Sequence, residues 1–439
     1  MKRKFTMKHR SAAIAVVFGT LGIIPILSGA ADTNKDMIND QGKTVAEQKK
    51  AIDEHGNSIK RIDREILKTN SEMDENFNAV KNDLLSLQRE LSQISDNISK
   101  KTQDTGAALH GFADVGWGNA NKNYGPEQPD GFTFGNMDLF LAPHFDNVKA
   151  LLELVVEHDD AGDIAVDLER IQVGYLFSDQ LTLWFGRFHT PYGYWNTAFH
   201  HGAQLQTSIL RPKFIDFEDK GGILPAHMTG MWATGQAGSG DGKLHYDVYV
   251  TNGNKISDGV LNMNQARDDN GNPAAGFNIA YVYRRAFTLG LHGFTQEIDA
   301  YDAASVKTSR TTVNMAGLYA YLSNNDWEGI TEYYLFNNKD LDGGMSSHTS
   351  SAAFLQIGRT LNSNLTPYYR FEQSDLSQTD NYFAAQTSGR SYTRHALGIR
   401  FDVNAKAAIK LEANSTDQDT AAATSVKYNE VRTQFAIAF

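Results

Sequence analysis

From Gly106 to the last residue the chain alternates apolar and polar positions with period two, and it does so in sixteen segments whose connections alternate in length. The expected strands are 107–118, 132–145, 147–158, 164–178, 180–190, 222–235, 242–253, 274–285, 286–298, 309–322, 326–337, 349–361, 364–374, 390–402, 404–415 and 425–439. Short links such as Asp146-Asn147, Ser178-Asp179, Arg284-Arg285 and Asn362-Ser363 take turns with long ones such as 119–131, 191–221, 254–273 and 375–389. A soluble sandwich has no reason to sort its loops this way. A membrane barrel does, because its short turns gather at one rim and its long loops at the other. The spacing therefore predicts an all-β, transmembrane antiparallel β-barrel of about 16 strands over 106–439.

The faces agree. Leu397, Ile399, Phe401 and Val403 alternate with Arg394, Gly398, Arg400 and Asp402, and Val431, Thr433, Phe435 and Ile437 alternate with Glu430, Arg432 and Gln434. In a wide barrel the apolar set faces lipid and the charged set lines the lumen. After the first thirty residues no segment reaches the eighteen or so apolar residues that a membrane helix needs, so spanning falls to the strands.

Ahead of the barrel the pattern differs. Residues 1–30 have a basic start (Lys2, Arg3, Lys4, Lys8, Arg10), an apolar run from Ala12 to Leu27 and small residues to Ala31, as in a cleaved secretory signal. Over 31–105, Ile38, Val45, Ile52, Ile59, Ile66, Met73, Val80, Leu87 and Ile94 keep a strict seven-residue column, joined later by Phe77, Leu84, Leu91 and Ile98. This is a heptad seam that needs partner helices, so an N-terminal α-helical coiled coil and a homo-oligomer are expected, firm from Met73 to Ile98 and looser before it. The charge of −11 still counts five basic signal residues, so the exported chain is more acidic yet, which argues against nucleic acid. With no cysteine there is neither a disulfide framework nor an attached haem.

The stretch Leu181–Met228 starts as a strand and becomes a long aromatic excursion without a period. As the third long connection, 191–221 is expected to fold into the lumen and narrow it. Selectivity would then rest on fixed charge: Arg170, Arg370, Arg394, Arg400, Lys410 and Arg432 on the inner wall, Arg187 at the base of the loop, and Arg211, Lys213, Asp216 and Glu218 on it. A basic wall facing loop acids would set up a transverse field. His189, His200, His201 and His227 are expected to pack with Trp195 and Phe199 and not to bind metal. No catalytic motif is present, so neither enzyme activity nor a cofactor is expected.

The closing strand EVRTQFAIAF ends on Phe439, and the junction Phe185-Gly186-Arg187-Phe188-His189-Thr190-Pro191-Tyr192-Gly193 resembles the Gly-x-Phe-x-Thr-Pro-x-Gly stretch of phosphate-selective porins of the O and P type. The N-terminal coil is similar to that of trimeric dicarboxylate-type porins. The resemblance implies a trimer embedded in outer-membrane lipid, with the coil in the periplasm and water-filled channels for small hydrophilic solutes, anions among them. The closely spaced lumen bases of a dedicated phosphate channel are absent. Two other readings use the same residues: an envelope tether whose coil reaches the cell wall, and a barrel sheath for an electron-carrying partner.

Overall fold

A computed structural model describes residues 46–69 except 48, and 109–439 except 122–128, 159–163, 200, 201, 219, 239, 263–266, 269, 285, 325 and 423. The expected signal, the seam from Met73 to Ile98, His200 and His201 lie outside the described residues. Two units are distinguished, Met1–Asp96 and Asn97–Phe439. In the first, 49–69 is helical, and Ile52, Ile59 and Ile66 stand on one column, each more than half exposed.

The second unit is built from sixteen long strands: β1 (Leu109–Ala120), β2 (Asp130–Leu141), β3 (Val148–His158), β4 (Ile164–Ser178), β5 (Leu181–His189), β6 (His227–Ala237), β7 (Gly242–Thr251), β8 (Ala274–Tyr283), β9 (Phe287–Tyr301), β10 (Lys307–Ser323), β11 (Trp327–Asp340), β12 (Ser347–Arg359), β13 (Leu365–Asp375), β14 (Tyr392–Asn404), β15 (Ala407–Asp419) and β16 (Ser425–Ala438). Three short strands, His144–Phe145, Lys255–Ser257 and Val260–Asn262, add to them. Each long strand pairs antiparallel with the next. Closure comes from β1 against β16, from Phe112↔Ala438 to Ala120↔Glu430. Phe439 completes the seam through two backbone hydrogen bonds with Gly111, of 3.0 and 3.1 Å. At the short Asn362-Ser363 turn both residues take positive φ, 51° and 68°, the twist that a tight hairpin demands.

Burial is inverted relative to a soluble sheet. On β15 Ile409 and Leu411 are 48% and 46% exposed, while their neighbours Lys410 and Glu412 are 1% and 0% exposed. In water each such apolar side chain would forgo about 1.5–3 kcal/mol of burial. Facing lipid it forgoes nothing, and the charged set gains the interior. Leu411→Arg near the middle of β15 is accordingly expected to cost about 2–4 kcal/mol in vesicle-based denaturant unfolding, the price of a base at the bilayer midplane.

The expected sixth strand begins five residues late, at His227 instead of 222. Pro225 has no N–H to give a ladder, and Ile223 and Leu224 are buried in the lumen instead of facing lipid. The β5–β6 connection is therefore 190–226. With the segment around Lys255–Asn262 and the 376–391 connection, it forms an apolar core against the inner wall. That core includes Tyr192, Trp195, Phe214, Leu224, Ile256, Leu261, Phe294, Met315, Tyr334, Phe354, Tyr382 and Phe383. Among the described residues none of this core comes from β1–β4, β15 or β16, whose inner faces carry acids and bases such as Asp138, Glu153, Lys410 and Glu430.

Candidate functional site

A connection of this length brings many backbone N–H and C=O groups into the lumen, and each needs a partner. Its two ends meet first: Thr190 donates its N–H to Ala226 O at 2.8 Å. The outgoing limb then crosses to β11. Glu332 accepts the N–H groups of Tyr194 (3.0 Å) and Trp195 (2.6 Å), opening the short helix Trp195–Ala198. Tyr194 stacks on Tyr321 at 4.1 Å, and Trp195 packs edge-on to Phe354.

The middle limb lies on the charged wall. Lys410 Nζ donates to Ala203 O (2.5 Å) and Ser208 O (3.0 Å), and Arg400 Nη1 to Gln204 O (2.6 Å) and Gln206 O (2.8 Å). Arg370 donates to Ser208 Oγ (2.7 Å), Leu210 O (2.9 Å), Arg211 O (3.2 Å) and Glu372 Oε1 (2.8 Å). Acids take the complementary groups: Glu412 accepts Ile209 N–H (2.9 Å), Glu372 accepts Lys213 N–H (2.7 Å) and Glu328 accepts the Thr207 hydroxyl (2.8 Å). The wall thus satisfies an irregular backbone group by group.

The arrangement corrects the transverse-field expectation. Arg370, Arg400 and Lys410 point inward as read from the alternation, but they hydrogen-bond loop backbone and do not stand across open water from loop acids. Asp216 lies 3.9 Å from Arg211 of its own loop. Glu218 holds the N–H groups of Ala226 (2.6 Å) and His227 (3.1 Å). Lys213 enters through its backbone. Arg211 is buried, bonded to Ile215 O and Asn196 Oδ1, with its guanidinium 4.2 Å from the Phe217 ring centre. Burial pulls its pKa below the ordinary value, against the opposing pull of Asp216.

The return limb meets the opposite wall. His227 Nε2 is 2.6 Å from Glu169 and its Nδ1 3.7 Å from Glu218, and Lys220 Nζ is 3.5 Å from Glu157. His189 Nε2 lies 3.5 Å from Glu153, and its ring is 5.1 Å from that of His227. These two histidines therefore belong to an ionic cluster and do not pack with Trp195 and Phe199, which pack on each other. The carboxylates come from β3, β4 and the loop, a convergence with no signature in sequence spacing. Among the described residues no His, Asp or Glu group has an arrangement that holds a metal ion.

The remaining site residues line the polar sector. A register shift in the β3–β4 ladder lets the adjacent Glu169 and Arg170 both turn inward, where Arg170 pairs with Glu153. Gly186, at φ +126°, precedes Arg187, which lies 4.0 Å from Glu169. Arg394 donates to Thr416 Oγ1 (2.9 Å), and Arg432 to Glu430 (2.7 Å). In these pairs the base stands nearer the water: Arg170, Arg187 and Arg432 side chains are 21%, 12% and 22% exposed, against 1%, 2% and 0% for Glu153, Glu169 and Glu430.

The described second unit is thus a closed sixteen-strand barrel with a long connection turned inward. It is similar to the anion-selective porin from Comamonas acidovorans, at 14% identity and a TM-score of 0.52, over 76% of this chain and 99% of that one. The fold is that of a bacterial outer-membrane porin. Outer-membrane expressed OmpT of Vibrio cholerae matches the barrel at 11% identity and a TM-score of 0.51, over 76% and 97%. Its in-vitro folded trimer form does so at 12% and 0.50, over 76% and 100%. No protein-family model matches the sequence, and no curated protein does.

Proposed function

We propose that the chain is an outer-membrane channel, without enzymatic activity, that passes small hydrophilic solutes and favours anions. The observation that carries this reading is the layering of the polar sector, where Arg170, Arg187 and Arg432 stand in front of carboxylates that are themselves buried. A solute moving along β16 and β1–β5 meets guanidinium groups first. Fixed charge at the lumen surface sets ion preference. The exposed Ile52, Ile59 and Ile66 column supports a coiled coil between copies of the chain, for which the reading is a trimer with its helices on the periplasmic side.

Planar bilayers test pore, charge and trimer together. The full-length protein is expected to insert with conductance in three equal steps and, under a salt gradient, to show a reversal potential of anion-preferring sign. Arg170→Ala combined with Arg432→Ala is expected to move that potential toward cations. Silence at every voltage would refute the channel, and an unmoved potential would remove these arginines from the passage.

A further inference from the structure

Between the 376–391 connection and the β15–β16 hairpin, at the long-loop rim, lies a cavity of about 520 Å³. Its size falls in the range of small-molecule sites. One side is formed by Ala384, Ala385, Gln386, Thr387 and Arg390, the other by Gln418, Asp419, Thr420, Ala421, Val426 and Tyr428. The first side is held firmly. Asp380 caps the short helix Asn381–Ala384 by accepting Tyr382 N–H (2.9 Å), Phe383 is buried in the lumen core, and the Tyr382 hydroxyl donates to Ile223 O of the long loop. Thr387 N–H reaches Gly259 O at 2.9 Å, and on the other side Asp419 N–H reaches Ser391 O at 2.9 Å.

We propose that this cavity binds small organic monocarboxylates at the mouth of the channel. Arg390 is the cation of the lining. Among the described residues its bonds, to Gln378 Oε1 and Gly389 O, are both made by Nη1. Its Nε and Nη2 donors remain for a carboxylate, the planar partner that a guanidinium fork suits. Ala384, Ala385, Ala421 and Val426 offer a short apolar surface for the body of the ligand. Asp419 at the rim opposes a second negative charge, which disfavours dicarboxylates and phosphate. Below the cavity, Tyr428 begins the inward row that continues to Glu430 and Arg432 at two-residue intervals, roughly 7 Å each. A carboxylate released downward therefore meets the guanidinium groups of the polar sector. The assignment rests on the channel reading for its direction of passage, but not for binding.

The test uses full-length protein in detergent, by isothermal titration with butyrate, succinate, phosphate and propylamine, and in bilayers, by current block from the long-loop side. Butyrate is expected to bind at least tenfold more tightly than the other three. Arg390→Gln is expected to lose at least tenfold in butyrate affinity, and Asp419→Asn to gain severalfold for succinate. Both substitutions lie at the rim, and heat-modifiable gel migration checks that the barrel has folded. Equal affinity for butyrate and succinate in the wild type would overturn the proposal, as would undetectable butyrate binding. Binding without conductance would sustain the site and sink the channel, whereas conductance with no butyrate binding or block would do the reverse.

Discussion

Arg370→Met is expected to be the most destabilising single substitution in the barrel, by about 3–5 kcal/mol, because it takes from the buried Glu372 carboxylate the guanidinium hydrogen-bonded to it and leaves only Arg394, across the strand pair, as a countercharge. Arg370 is fully buried, and its guanidinium joins the middle limb of the loop to Glu372 and Gln356. Glu372 is buried too and would keep two neutral donors, Lys213 N–H and the Tyr392 hydroxyl, with Arg394 opposite it on β14. Leu210 O and Arg211 O would lose the donor that holds them to β13. The measurement is denaturant unfolding in vesicles together with single-channel recording, where a loosened limb gives noisier and larger currents. The double variant Arg370→Met, Glu372→Met removes both charges and is expected to recover more than half of the lost stability, since an apolar pair of similar volume replaces an ion pair with little net cost. A single variant as stable as wild type would show that the limb is held by its apolar contacts alone.

The barrel was legible because its two signals are local. Strict alternation puts Lys410 inward and Leu411 outward whatever the neighbouring strands do, and turn pairs such as Asn362-Ser363 mark the hairpins. The sector at β4–β5 was harder, because Glu169 and Arg170 can both face inward only through a bulge, and a bulge has no residue type of its own. What the sequence hid was the use of the inner bases. Lys410 meets Ala203 O across 207 positions, and bonds from side chain to distant backbone leave no periodicity. The lumen core was hidden for a related reason. Tyr382-Phe383 within a polar connection is a usable signal that such a segment turns inward. The segment around Ile256 and Leu261, by contrast, is too short and too polar to announce itself.

Replacing 191–225 by a short glycine-rich turn is expected to raise single-channel conductance severalfold while weakening ion preference. Thr190 and Ala226 already share a backbone hydrogen bond, so the cut ends are adjacent and β5 and β6 keep their pairing from Thr182↔Thr234 to His189↔His227. Removal uncovers Arg370, Arg400 and Lys410 together with Glu328, Glu332, Glu372 and Glu412. Each of these becomes hydrated and none is orphaned, so the charged wall does not unfold the barrel. The uncovered acids outnumber the bases by one, which adds no preference for anions, and in a lumen wider than the Debye length of about 10 Å at 0.1 M salt they are screened from passing ions. The apolar inner surface, including Met315, Tyr334 and Phe354, meets water and lowers stability by the burial it loses. Conductance and reversal potential therefore move in a linked way, the first up and the second toward zero. If conductance stays unchanged, the loop does not obstruct the passage, and if the anion preference is undiminished, that preference arises wholly in the polar sector at Arg170, Arg187 and Arg432.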